Sequence, residues 1–328
     1  KIILGESIMT EWVNGIAKLT LPTPFAVGDV NAYVLDEQQL TLVDCGPKTE
    51  ETWKALQNQL LELKVKPSDI EQIVLTHHHP DHVGLLDYFP ESVKVYGHPF
   101  SERWLERSDS FLKEHDQFYE KLFVEFGIPE SYFPYISQLK KTLRYSCQRS
   151  LTQTIQEGSP IPGLEDWQII DTPGHAQSHI SLFRKKDGVL IAGDHVLAHI
   201  SPNPLLEPPI DGEVDRPKPL VQYNHSLKKL LNYPIQKVYT GHGDEVFDLP
   251  ELIEKRFKRQ HERAMSVKEF IKESPMTVFE ICQRLFPTVY QRELSLTISE
   301  TAGQIDYLLD LREINRIKEG KMVRYSAI

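Results

Sequence analysis

The segment THHHPDHVG (residues 76–84) sets His77, His79, Asp81 and His82 within six residues, directly after the apolar run QIVL. Neutral imidazoles and a carboxylate are ligands for zinc and similar borderline metals. His77 and His79 are two apart, so they leave a strand on the same face. Asp81 and His82 follow in a turn that Pro80 stiffens and Gly84 lets close. Further candidates stand after other apolar runs: His175 in DTPGHAQSH, Asp194 in LIAGDHV and His242 in YTGHG, with His179 as an additional one. Open α/β layers place their sites at such strand ends. A histidine run alone also suits a solvated loop. Four potential ligands in six residues, with more clusters after other strands, point instead to a metal centre. His78, His98, His115, His195, His199, His225 and His261 read as ordinary packed or solvated side chains.

The elements that must position these residues can be read from periodicity. IAKLTLP and NAYVLD are strands separated by the turn-rich PTPFAVGDV, and LTLVDCG is a strand ended by Gly46 and Pro47. Residues 49–63 form a helix that Thr49 can cap, with Trp53, Leu56, Leu60 and Leu63 at helical spacing. QIVLT, VKVYG, DWQIIDT, HISLFR, GVLIAGD and QKVYTGHG are further strands. Strands mixed with helices indicate an α/β layered domain over residues 1–250. Residues 98–150 are rich in aromatics and read as inserted helices. Residues 201–219 hold six prolines and form a stiff, extended loop. From 251 to 328 the order is helix, helix, helix and a hairpin around Glu319-Gly320, the outline of a small winged helix.

The chain has 328 residues, with 37 Lys+Arg against 47 Asp+Glu, a net charge of −10. Residues 251–328 carry 14 basic and 12 acidic groups, so the acidity belongs to the first 250 residues. An acidic chain is not a bulk nucleic-acid or membrane-surface binder. The region 312–324 is locally basic, with Arg312, Arg316, Lys318, Lys321 and Arg324. No apolar run is long enough to span a membrane. Three widely spaced cysteines (Cys45, Cys147, Cys282) form no disulfide framework and suit a reducing cytoplasm. The chain opens on Lys1, and KIILGES is too short for a signal-peptide core.

HHHPDH resembles the HxHxDH signature of the metallo-β-lactamase superfamily. The resemblance extends through VNAYVL, VDCG, DTPGH, the GD after LIA, and TGHG, in the family's order and spacing. It implies an αββα sandwich with two metal ions at one edge. Carried over residue by residue, the first metal takes His77, His79 and His175, the second takes Asp81, His82 and His242, and Asp194 bridges them. Two Zn2+ ions are implied, with iron or manganese as alternatives. Asp81 is also the candidate catalytic proton acceptor. Asp44 falls where the family keeps an acid that orients a ligating imidazole, or else is a turn residue.

These readings give a dinuclear-zinc hydrolase whose metal-bridging hydroxide attacks a small-molecule ester, thioester or lactone. The C-terminal outline resembles that of a two-domain subgroup containing glyoxalase-II-like proteins and an endoribonuclease. Cleavage of single-stranded RNA is therefore the alternative activity, and RNA the alternative partner. A mononuclear iron sulfur dioxygenase is a third. The insertion is a helical layer that uses its aromatics as core or else a wall of the site, the Pro-rich loop a candidate second wall, Tyr223 a candidate oxyanion donor or packed side chain, and a homodimer a candidate assembly.

Overall fold

The computed structural model describes residues 10–210, 213 and 215–328. The opening KIILGES and residues 211, 212 and 214 of the Pro-rich loop lie outside the described residues. The first sheet has six strands in sequence order: β1 (Ile16–Leu21), β2 (Val30–Leu35), β3 (Thr41–Val43), β4 (Gln72–Val74), β5 (Lys94–Gly97) and β6 (Gln153–Thr154). β1, β2 and β3 pair antiparallel, and β3 to β6 pair parallel. The second sheet has four strands, β7 (Trp167–Asp171), β8 (Ile180–Arg184), β9 (Val189–Ile191) and β10 (Lys237–Tyr239), with β9 and β10 parallel.

Strand alternation explains how the layers form. Ile169, Leu182 and Ile191 share an inner core with Tyr33, Val43 and Val74 of the first sheet. Their neighbours Ile170, Phe183 and Leu190 face the other way and pack under helices. Those helices are α6 (Pro219–Leu230) and the start of α7 (Leu249–Phe270), through Leu220, Tyr223, Leu227, Leu249 and Ile253. On the opposite side, α1 (Glu50–Glu62) lays Leu56 and Leu60 on the first sheet, with Thr49 accepting from the Thr52 N–H as its cap. Successive residues thus serve two cores, as a sheet covered on both faces requires. The result is the αββα sandwich.

The short α2 (Pro80–Val83) opens with proline at its first position, where the missing N–H costs nothing. It turns the chain sharply after β4, so that the ligand-rich segment folds back on the sheet edge. The insertion forms α3 (Glu102–Glu106), α4 (Asp109–Glu125) and α5 (Pro134–Leu139). The C-terminal segment forms α8 (Val278–Leu285), α9 (Leu294–Asp310) and a hairpin of β11 (Ile314–Glu319) and β12 (Met322–Ala327). Leu122, Phe123 and Phe126 of the insertion share one core with α8, α9 and β12. The aromatics of 98–150 therefore serve largely as core for the C-terminal elements. α7 is continuous across residue 250, its first turns on the sandwich and its last on this second core. No described helix is long and apolar enough to cross a membrane.

Candidate metal centre

The parallel strands β3 and β4 end side by side, so Asp44 and the residues after Leu75 emerge at one edge. The turns after β7, β9 and β10 reach the same edge from the second sheet. This brings together all seven expected ligands. Donor atoms lie within 4.8 Å of one another in three overlapping groups: His77, His79 and His175; Asp81, His82 and His242; and His77, His82 and Asp194. His79 Nδ1 is 3.0 Å from both His77 Nε2 and His175 Nε2. Asp194 lies 3.4 Å from His82 Nε2 and 3.5 Å from both His175 Nε2 and His242 Nε2. Asp81 is 3.3 Å from His242 Nε2.

The outer partners show that this cluster suits cations. His82 Nδ1–H donates to Asp44 Oδ2 at 2.8 Å, and His242 Nδ1–H to the Asp29 carbonyl at 2.7 Å. His175 Nδ1–H donates to the Asn203 carbonyl at 2.9 Å. The Thr76 hydroxyl donates to Asp44 Oδ2 at 2.7 Å, leaving its oxygen to accept from His77 Nδ1–H at 3.0 Å. Each of these four rings spends its Nδ1 proton outward, so each neutral ring turns an Nε2 lone pair inward. His82 Nε2, His242 Nε2 and Asp194 Oδ1 are buried without hydrogen-bond partners. Buried polar atoms without partners are costly, and converging lone pairs are what a bound cation satisfies.

Asp44 takes three hydrogen bonds: from Thr76 N–H at 2.8 Å, from the Thr76 hydroxyl and from His82. It does so with φ of 58°, a left-handed backbone that short polar residues tolerate. It thus holds the His82 ring and also occupies the turn after β3, so features of both sequence readings are present.

Without cations, protons take their part. Burial lowers the affinity of His77 and His79 for protons, reinforced by neighbouring imidazoles, and both sit well below their ordinary pKa. Burial opposes charge at His82 and His242 too, but carboxylates override it. Asp194 and Asp44 hold His82 well above its ordinary value, and Asp194 and Asp81 push His242 up to about 10. Burial would raise Asp194, yet those two imidazoles hold it well below the usual carboxylate range. A cation taken up by His82 and His242 would displace those protons.

The other histidines divide cleanly. His179 stacks on the His77 ring at 5.0 Å and bonds Thr172, outside the three ligand groups. His78 is buried, flat against Trp104 at 4.6 Å and bonded to Ser178, so it packs the insertion on the metal loop. Tyr223 is buried on α6 with its ring 4.9 Å from His195. It is a packed side chain of that helix. Thr76, the carbonyls of Asp29 and Asn203, and Glu207 had no sequence signal of their own. Glu207, on the Pro-rich loop, is buried and accepts from the Gln177 N–H at 2.9 Å.

Burial pushes the Glu207 carboxyl up to about 7, from 4.5 when exposed. A raised folded pKa means stability present below 4.5 and lost as pH rises through 7, by roughly 3 kcal/mol. Glu207→Gln keeps the accepting carbonyl and removes the ionisation. In the metal-free protein it is expected to raise Tm more at pH 8 than at pH 5. Equal shifts at the two pH values would contradict this.

An αββα sandwich gathering imidazoles and carboxylates at one edge defines a metal-dependent hydrolase. The chain belongs to the metallo-beta-lactamase superfamily, whose family model matches residues 26–242. It is 45% identical over 313 residues to the probable metallo-hydrolase YqjP of Bacillus subtilis (strain 168), covering 95% of this chain and 98% of that one. The metallo-beta-lactamase family protein TTHA1429 of Thermus thermophilus superposes with a TM-score of 0.80 at 27% identity, covering 96% and 99% of the two chains. A beta-lactamase domain protein from Burkholderia ambifaria gives 0.75 at 22% identity, covering 97% of this chain and 93% of that one, and shares the fold.

Proposed function

We propose that the protein is a dinuclear hydrolase holding two zinc ions, and that it opens small-molecule esters, thioesters or lactones. The observation that carries this is Asp194, one carboxylate within 3.5 Å of histidines from both ligand sets. His77, His79 and His175 would hold one cation, and Asp81, His82 and His242 the other. Cations held by these residues would supply an acidified water and polarise the substrate's oxygen. Asp81 is the more solvent-facing carboxylate, with 12% of its side chain exposed against 9% for Asp194, and it accepts the proton of the attacking water. Asp44, Thr76 and the Asp29 and Asn203 carbonyls keep the rings turned inward throughout.

RNA finds less support. α9, the helix preceding the hairpin, is buried along most of its length, and its partly exposed stripe of Leu296, Glu300, Tyr307 and Asp310 carries two acids and no basic group. A cavity of about 650 Å³ between the insertion and the C-terminal elements is lined by Lys121, Lys218 and Arg316, but also by Glu114, Glu125 and Asp215. That mixed lining lacks the positive field that a phosphate backbone requires.

The test is turnover of acyl esters, thioesters and lactones beside cleavage of single-stranded RNA, with His79→Ala as control. Acyl hydrolysis that the control loses supports the reading. RNA cleavage lost in the control, without acyl hydrolysis, would overturn it.

A further inference from the structure

His175 is gripped by two segments that both rest on the C-terminal helix α9. Its Nδ1 is held by the Asn203 carbonyl at 2.9 Å. Three residues further on, the Leu206 N–H donates to Ser299 Oγ of α9 at 3.3 Å. On the other side, Gly174 immediately precedes His175 with φ of 140°, a value that favours glycine. A Cβ there would lie 2.4 Å from Tyr223 Cα, so the backbone of α6 presses directly on the turn that carries the ligand. One turn earlier on α6, Leu220 meets α9 at Gly303. A Cβ on Gly303 would stand 2.9 Å from Leu220 Cβ and 3.4 Å from Pro204 Cγ, next to Asn203. Glycine is a poor helix former, and this one sits inside a 17-residue helix. Its place there is explained by close approach. Beyond it, Asp306 takes a two-pronged bond from Arg216, at 2.7 and 2.8 Å, where the Pro-rich loop enters α6.

Ser299, Gly303 and Asp306 are spaced four and three apart, so they form one stripe along α9. That stripe seats residues 204–206, Leu220 and Arg216. Together these set the two flanks of His175. We propose that α9 is a positioning element for the metal centre, and that Ser299, Gly303 and Asp306 fix the affinity of the His77, His79 and His175 site from the C-terminal segment. The proposal rests on the metal-centre reading above. It makes the C-terminal elements part of the catalytic apparatus, although none of their side chains touches the ligand cluster.

The test uses Co2+ alone as probe, titrated into metal-free full-length protein and followed by its visible absorption. Arg216→Met with Asp306→Leu removes the clamp without stranding a buried charge. Gly303→Ala and Ser299→Ala are milder companions that carry the test if the double variant does not fold. His175→Ala and His242→Ala mark which spectral component belongs to which site. The expected result is a weakening of about 10- to 100-fold confined to the component that His175→Ala also weakens, as for lost outer partners of ligating histidines. The component marked by His242→Ala should be unchanged. Folded variants that bind both equivalents as the wild type does, even with lower Tm, would overturn the proposal. If the wild type takes a single equivalent, the dinuclear reading fails. The positioning proposal then stands when the α9 variants weaken that equivalent as His175→Ala does, and falls when they do not.

Discussion

Asp194→Asn is expected to lower hydrolysis by about 10³-fold or more and to strip the protein of metal. The substitution keeps the volume and one carbonyl oxygen but removes the one anionic group shared by both ligand sets. Its oxygens stand 3.4 and 3.5 Å from His82, His175 and His242. Polarisation by bound cations supplies several kcal/mol to such reactions, and each 1.36 kcal/mol is about tenfold in rate. Turnover and metal content, measured on the same preparation, check this together. A variant within tenfold of the wild type and still fully loaded would show that Asp194 is not the shared ligand. The metal-free protein should also suffer at neutral pH. The depressed Asp194 pKa contributes stability above its ordinary value of 3.8, lost as pH falls through the folded value.

Substitution of Asp44 has the second-largest expected effect, and its two variants separate metal binding from folding. Asp44→Ala leaves the Thr76 N–H, the Thr76 hydroxyl and His82 Nδ1 without an acceptor in a buried site. At about 1–3 kcal/mol for each stranded group, the fold should lose several kcal/mol. Asp44→Asn can still accept from Thr76 but must turn an amide N–H toward His82. That opposes the tautomer with the lone pair on Nε2, so metal affinity should drop by about 10- to 100-fold with a smaller loss of stability. Denaturant unfolding of the metal-free protein and metal titration of both variants decide the matter. Loss of stability without loss of affinity in Asp44→Asn would reduce Asp44 to a structural turn residue.

Much of the candidate centre was legible because its potential ligands are side chains in runs. His77, His79, Asp81 and His82 follow one apolar strand, and His175, Asp194 and His242 each end another. Strand ends converge in a layered fold, so residue type and position pointed the same way. The parts that were not legible are those a sequence does not write in side-chain chemistry. The Asp29 and Asn203 acceptors are backbone carbonyls, which every residue carries. Thr76 stood in plain view beside His77, yet a threonine has no distinctive pattern until Asp44 is seen 2.7 Å away. Glu207 sat in a proline-rich stretch that reads as a stiff, extended loop, and only tertiary burial makes it an unusual acid.

The same distinction applies at the level of the fold. Apolar runs located β7, β8 and β9, and helical spacing located α1. The aromatic insertion was read correctly as helices, but its partner could not be. Phe123 and Phe126 pack against α8 and α9, more than 100 residues away along the chain. Such pairing depends on which apolar faces remain uncovered once the sandwich has formed. Residue 250 marked a change in composition, and α7 begins beside it at Leu249 and carries one face of each core.

The most direct measurement is the metal content of full-length protein reconstituted with zinc and freed of excess ion, determined by elemental analysis. Two equivalents per chain are expected, falling toward one in His242→Ala with His77, His79 and His175 intact. A wild-type value of one or none, or a value of two that His242→Ala leaves untouched, would contradict a dinuclear centre built from these seven residues.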